Sequence, residues 1–127
     1  MTPELHRSKA ERIARSLHKC TTADYEAVIE GVMLAASHWF NFALHQYGLR
    51  PPEFDVLHAE FLTKAERLRM TLVMRETVEA LEQIEASRAL YVRGSAEGGE
   101  GMARTALELL ERIRSAALAA RPLRPGT

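Results

Sequence analysis

The stretch Asp24–Tyr47, DYEAVIEGVMLAASHWFNFALHQY, constrains the fold more than any other part of the chain. Tyr25, Val28, Ile29, Val32, Met33, Ala36, Trp39, Phe40, Ala43 and Tyr47 recur at spacings of three and four. On a helix turning about 100° per residue they form one broad apolar stripe. The strict alternation of a strand is absent. Glu26, Glu30, Ser37 and Asn41 gather into a narrow polar arc, and Ala27, Gly31 and Ala35 form a row of small residues beside the stripe. His38, Phe42 and His45 lie near that row. A helix with so little polar surface belongs in the middle of a bundle, or between a bundle and a partner. Thr21, Thr22 and Asp24 offer oxygens to the free N–H groups of its first turn. Gly48 suits a left-handed C′ position with Leu49 folding back onto Leu44, and Pro51 and Pro52 forbid continuation.

The rest of the chain also reads as helix. Thr2-Pro3-Glu4 combines a cap, a proline at the first helical position and an acid near the positive dipole end. Leu5, Ala10, Ile13, Ala14 and Leu17 give a stripe, so a first helix is expected to about Lys19. Asp55 offers a cap for a third. Val56, Leu57, Phe61, Ala65, Leu68 and Leu72 follow one register, and Met74, Val78, Leu81, Ile84, Arg88 and Tyr91 follow another. Residues 55–93 are therefore expected to form two helices with a break near Arg69–Thr71; a single kinked helix is the alternative. The glycines between Gly94 and Gly101 make helix costly and read as a linker. Met102, Ala106, Leu109, Leu110, Ile113, Ala117 and Ala120 describe a last helix, ended by Pro122. The expectation is an all-α, up-and-down bundle of four to five helices in one domain over residues 1–121, with a flexible tail at 122–127.

Composition narrows the chemistry. The 127 residues include 17 Lys+Arg and 17 Asp+Glu, so no global field favours nucleic acid or a membrane. Cys20 is the only cysteine, which excludes an intrachain disulfide and a cysteine-rich zinc site. The N-terminus lacks the apolar core of a signal peptide, and no uninterrupted apolar run has membrane-spanning length. A cytoplasmic location is expected, with no membrane partner.

No phosphate-binding glycine loop, dinucleotide fingerprint or nucleophile elbow occurs. His38 and His45, seven apart, share a helix face; with a third ligand from His58 or Glu60 they would suit zinc or nickel. Their alternative role is that of partly buried polar residues at a helix contact. A ferritin-like iron site is excluded, since Glu-x-x-His pairs are missing. Glu76, Glu79, Glu82 and Glu85 read as a solvated helix edge. Arg88, Tyr91 and Arg93 end the penultimate helix. They complement its negative dipole end, or alternatively contact a phosphate or nucleic acid with Tyr91 stacking on a base. Ala27, Gly31, Ala35, Trp39 and Phe42 are the candidate interface residues. The small row would equally admit a neighbouring helix of the same chain.

Together these features resemble the HEPN family of small helical bundles. The similarity starts at the long helix ending ALHQYGLRPP. It continues through Asp55-Val56-Leu57-His58 and Phe61-Leu62, and reaches the helix ending Arg88-Ala89-Leu90-Tyr91 and the last amphipathic helix, about residues 22–120. The resemblance implies a bundle, usually dimeric, often linked to RNA or nucleotides. Many members are ribonucleases carrying Arg-x4-His; here Arg88 is followed at that spacing by Arg93. Arginine stays protonated near neutral pH and cannot be a general base. The expectation is thus a non-enzymatic, homodimeric interaction module that needs no cofactor. It would bind a partner protein such as a nucleotidyltransferase, a nucleotide or RNA. A divergent ribonuclease and a metal-binding bundle using His38 and His45 are the alternatives.

Overall fold

The computed structural model describes residues 1–56 and 62–123. It contains α1 (Pro3–Leu17), α2 (Tyr25–Gln46), α3 (Lys64–Ser87), a π-helical turn (Arg88–Val92) and α4 (Gly99–Leu118), with no strand among the described residues. The all-α bundle is thus present, with four α-helices among the described residues. Its axis is α2, which packs against α1, α4, α3 and the π turn. Val28, Ile29, Val32, Ala35, Ala36, Trp39, Phe40, Ala43 and Leu44 of α2 are all buried. By length and composition alone α2 could cross a membrane, but 67% of its most apolar window is buried inside the bundle.

The ends of α2 show which local signals matter. At its C-terminus Leu49 N–H donates to the Leu44 carbonyl at 3.0 Å, Gly48 N–H to the His45 carbonyl at 3.0 Å, and Gly48 has φ +74°. This is the expected Schellman closure. At its N-terminus Asp24 occupies the cap position without a side-chain cap bond. Its carboxylate instead accepts the Thr21 N–H at 3.1 Å, closing the turn that links α1 to α2.

Four sequence expectations are corrected. In α1, Leu5 is 47% exposed, while His6 and Ala10 are buried; the inward stripe is His6, Ala10, Ile13 and Leu17. Asp55 does not cap α3. Thr63 does, in a reciprocal capping box with Glu66, an arrangement that satisfies two N–H groups at once. The expected break within this stretch is present but lies at Met74 (φ −146°, ψ 42°), where two helical stretches of Lys64–Ser87 meet at a kink, rather than near Arg69–Thr71. Met70 and Met74 are the buried residues there, and Leu68 and Leu72 are exposed. The change of register is absorbed by Met74 itself. Finally, α4 begins at Gly99 rather than Met102. A Cβ on Gly99 would lie 2.4 Å from the Tyr25 ring, so the ring packs on bare backbone there.

The row of small residues on α2 turns out to serve the chain itself. Ala35 is fully buried, and a Cβ on Gly31 would lie 2.5 Å from Leu17 Cδ2 of α1. Trp39 and Phe42 are 1% and 7% exposed and pack edge to face at 5.6 Å. Of the five proposed interface residues only Ala27 is exposed.

Candidate metal centre

Behind α2 the chain returns past the bundle in an extended segment, and Asn41 fixes where it runs. Asn41 Oδ1 accepts the Val56 N–H at 2.7 Å, and Asn41 Nδ2 donates to the Val56 carbonyl at 2.8 Å. Asn41 is 3% exposed and Val56 is buried. One side chain thus satisfies both backbone groups of a residue that has no sheet to join. Asp55, its neighbour in the chain, is held in a cleft beside α1 and α2.

There it meets two imidazoles. His6 Nε2 and His45 Nε2 each lie 2.8 Å from Asp55 Oδ1, and the three candidate donor atoms all lie within 4.8 Å of one another. The rings of His6 and His45 stack at 5.4 Å. Each histidine is also held at its other nitrogen. His45 Nδ1 is 2.9 Å from the Arg50 carbonyl, and His6 Nδ1 is 2.9 Å from His38 Nδ1. A carbonyl only accepts, so His45 Nδ1 carries a hydrogen; an ionised carboxylate also only accepts, so Nε2 carries one in its contact with Asp55 and would release it to an ion. Between His6 and His38 one ring nitrogen donates and the other accepts. Arg50 is itself fixed, because its guanidinium grips Glu66 at the start of α3, with Nη2 to Oε1 at 2.9 Å.

Protonation follows from these surroundings. Burial lowers His6 below the ordinary imidazole value, against the hydrogen bond and charge of Asp55. Burial also lowers His38, helped by the nearby charges of His6 and Lys9. For Asp55, burial pushes upward, but the bonds from His45 and His6 and the neighbouring positive charge hold it below the usual carboxylate value. A neutral His6 and an ionised Asp55 are the forms that ligate a cation.

The sequence-derived sites are redistributed by the fold. His45 belongs to the cluster; His38 contributes only as the partner of His6. The suggested third ligands His58 and Glu60 lie outside the described residues, as do Leu57, Phe61 and the tail from Arg124. Asp55 and His6 take the third and first places instead. Among the expected phosphate-contact residues, Arg88 donates from Nε to Glu30 Oε1 at 2.8 Å. It lines a cleft with His6, His38 and Asp55. Tyr91 is half-buried against the core and Arg93 is exposed. The four glutamates of α3 do not gather a site: Glu79 pairs with Arg75 and Glu82 with Arg67.

His6 was legible only as the start of a different stripe, since His6, Ala10, Ile13 and Leu17 keep spacings of four, three and four. Asp55 gave no such signal; a carboxylate after a proline turn is equally a helix cap. In comparisons with known proteins, no family model, no curated protein and no solved structure matches the chain.

Proposed function

We propose that this chain is a metal-binding helical bundle in which His6 Nε2, His45 Nε2 and the Asp55 carboxylate hold a divalent transition ion such as zinc. The observation that carries this reading is the setting of His45. Its Nδ1–H is committed to the Arg50 carbonyl and its Nε2 is aimed at Asp55. Ligating histidines characteristically donate their other N–H to a carbonyl or carboxylate, which fixes the ring and its tautomer. His6 is oriented differently, through a contact between its Nδ1 and His38 Nδ1 in which either ring can be the donor. Zinc bonds of about 2.0–2.2 Å place tetrahedral donors roughly 3.3 Å apart; the 2.8 Å contacts need to open by a few tenths of an ångström, and the donor atoms, all within 4.8 Å of one another, need to converge on that spacing. Two histidines and one carboxylate also leave coordination positions open, the arrangement of sites that take water or a ligand.

Titration calorimetry with zinc on tag-free protein tests this directly. One ion per chain should bind, with a raised thermal midpoint, and His45→Ala and His6→Ala should each abolish both. Absence of stoichiometric binding by the wild type overturns the reading, as does undiminished binding by both variants.

A homodimeric HEPN-like module is the second reading. Helix order and the all-helical bundle support it, and one surface observation favours self-association. Leu68 and Leu72, one turn apart on α3, are 63% and 77% exposed, with Val73 beside them at 37%. This stripe replaces the Ala27/Gly31/Ala35 row as the face offered to a second copy. RNA cleavage gains no support, because Arg88 is held by Glu30 and Arg93 stands in the place of the family's histidine.

A further inference from the structure

The cleft beside the cluster, about 380 Å³, is at the small end of the range for ligand sites. Its lining has three distinct chemistries. His6, His38 and Asp55 form the end nearest the proposed ion, Met33, Leu34 and Val56 supply apolar wall, and Arg88 supplies a cation. Arg88 uses Nε on Glu30, and among the described residues its two terminal amino groups make no hydrogen bond. The Glu30 bond fixes the guanidinium plane and leaves the end-on pair of N–H groups, an edge that matches a carboxylate or phosphate with two parallel bonds. Arg88 is also the first residue of the π turn, where the Arg93 N–H reaches its carbonyl at 2.9 Å. Such single turns are uncommon and frequent at functional sites.

We infer that the cleft binds a small amphipathic oxyanion, an organic carboxylate or an alkyl phosphate. Its charged group lies end-on against Arg88, and its apolar body lies on Met33, Leu34 and Val56. The assignment rests on the metal reading in one respect. With a divalent ion bound, the cluster adds positive charge to that of Arg88; without it, Asp55 and Glu30 face the arginine and the Met1 ammonium, which lies 3.5 Å from Asp55. Ligand shape comes from the residues themselves: an arginine fork at one end, thioether and branched aliphatic surface between, and room for a chain of only a few carbons.

Calorimetric titration of hexanoate, hexyl phosphate and hexanol into zinc-loaded and metal-free protein tests the inference. At least one of the two anions should bind the loaded protein at one site, hexanol should not, and the comparison between the anions identifies the headgroup. Arg88→Gln should weaken anion binding about tenfold, as expected for losing a charged hydrogen-bonding partner, with zinc affinity unchanged. Arg88→Lys keeps the charge without the paired edge and should also bind more weakly. Leu34→Ser, at a position 55% exposed and so removable without harm to the core, should weaken hexanoate binding more than acetate binding. Absence of anion binding to the loaded protein, or equal binding by wild type and a folded Arg88→Gln, overturns the inference. If zinc itself does not bind, the metal reading fails separately. Anion binding by metal-free protein that Arg88→Gln removes then upholds the cleft assignment, and its absence overturns it.

Discussion

Asn41 has both amide hydrogens and its oxygen engaged: Nδ2 donates to the carbonyls of Ser37 and Val56, and Oδ1 accepts from Val56. Replacing it with alanine leaves the Val56 N–H and carbonyl buried without partners, at a cost of ~1–3 kcal/mol. It also frees the segment that presents Asp55. Asn41→Ala should therefore lower zinc affinity by roughly 10–100-fold, the usual effect of losing an outer-shell residue, while contacting no ion itself. Competition with a chromophoric chelator measures this, and unchanged affinity would show that something other than Asn41 places Asp55. In the sequence Asn41 is one of four polar residues on the narrow arc of α2, indistinguishable there from a solvated position. What sets it apart is a backbone segment fifteen residues later, and no local pattern encodes that meeting. His45 was legible because seven-residue spacing brings it onto one face with His38. His6 was hidden because Leu5 beside it completes a plausible apolar stripe.

At the level of the elements, Glu66 has two jobs. It accepts the Thr63 N–H at 2.9 Å as half of the capping box, and it binds the Arg50 guanidinium. The arginine, before the capping bonds, holds the Glu66 carboxyl down to about 2, against an ordinary 4.5. A carboxylate with a depressed folded value stabilises above its unfolded value and loses that contribution as pH falls through the folded one. The stability of the wild type should thus fall between 4.5 and about 2 in part through Glu66. Glu66→Gln should lower the thermal midpoint at neutral pH and flatten that fall, as read by circular dichroism melts across the range. A fall as steep as the wild type's would refute the coupling. Thr63-x-x-Glu66 is a readable helix start, but Asp55 offered an earlier one and drew the boundary toward itself. The Met74 kink was legible as a change of stripe, whereas its position depends on Met70 and Met74 both reaching the core.

For the whole molecule, the all-helical class was the most legible feature, because the stripes of α2 and α4 repeat without interruption over many turns. Contacts between distant segments were not, and the cluster is made of such contacts. Self-association belongs to this scale too. If the exposed Leu68 and Leu72 stripe meets a second copy, light scattering should report twice the 14.3 kDa chain mass, and Leu72→Glu should return the monomer with its helicity intact. A wild type that stays monomeric at high concentration removes that reading.

The placement of His6 also bears on the order in which the structure comes apart. Helix α1 packs chiefly on α2, whereas α2 is held from several sides. A helix with one main neighbour therefore carries one of the proposed ligands, His6, and the segment after α2 carries another, Asp55. An ion joining residues 6 and 55 would close a ring of chain that includes α2, acting as a reversible clasp between α1 and the segment after α2. Amide protons of α1 would then exchange with solvent at a rate set by ion supply, and a chelator would loosen one edge of the bundle while leaving its axis in place.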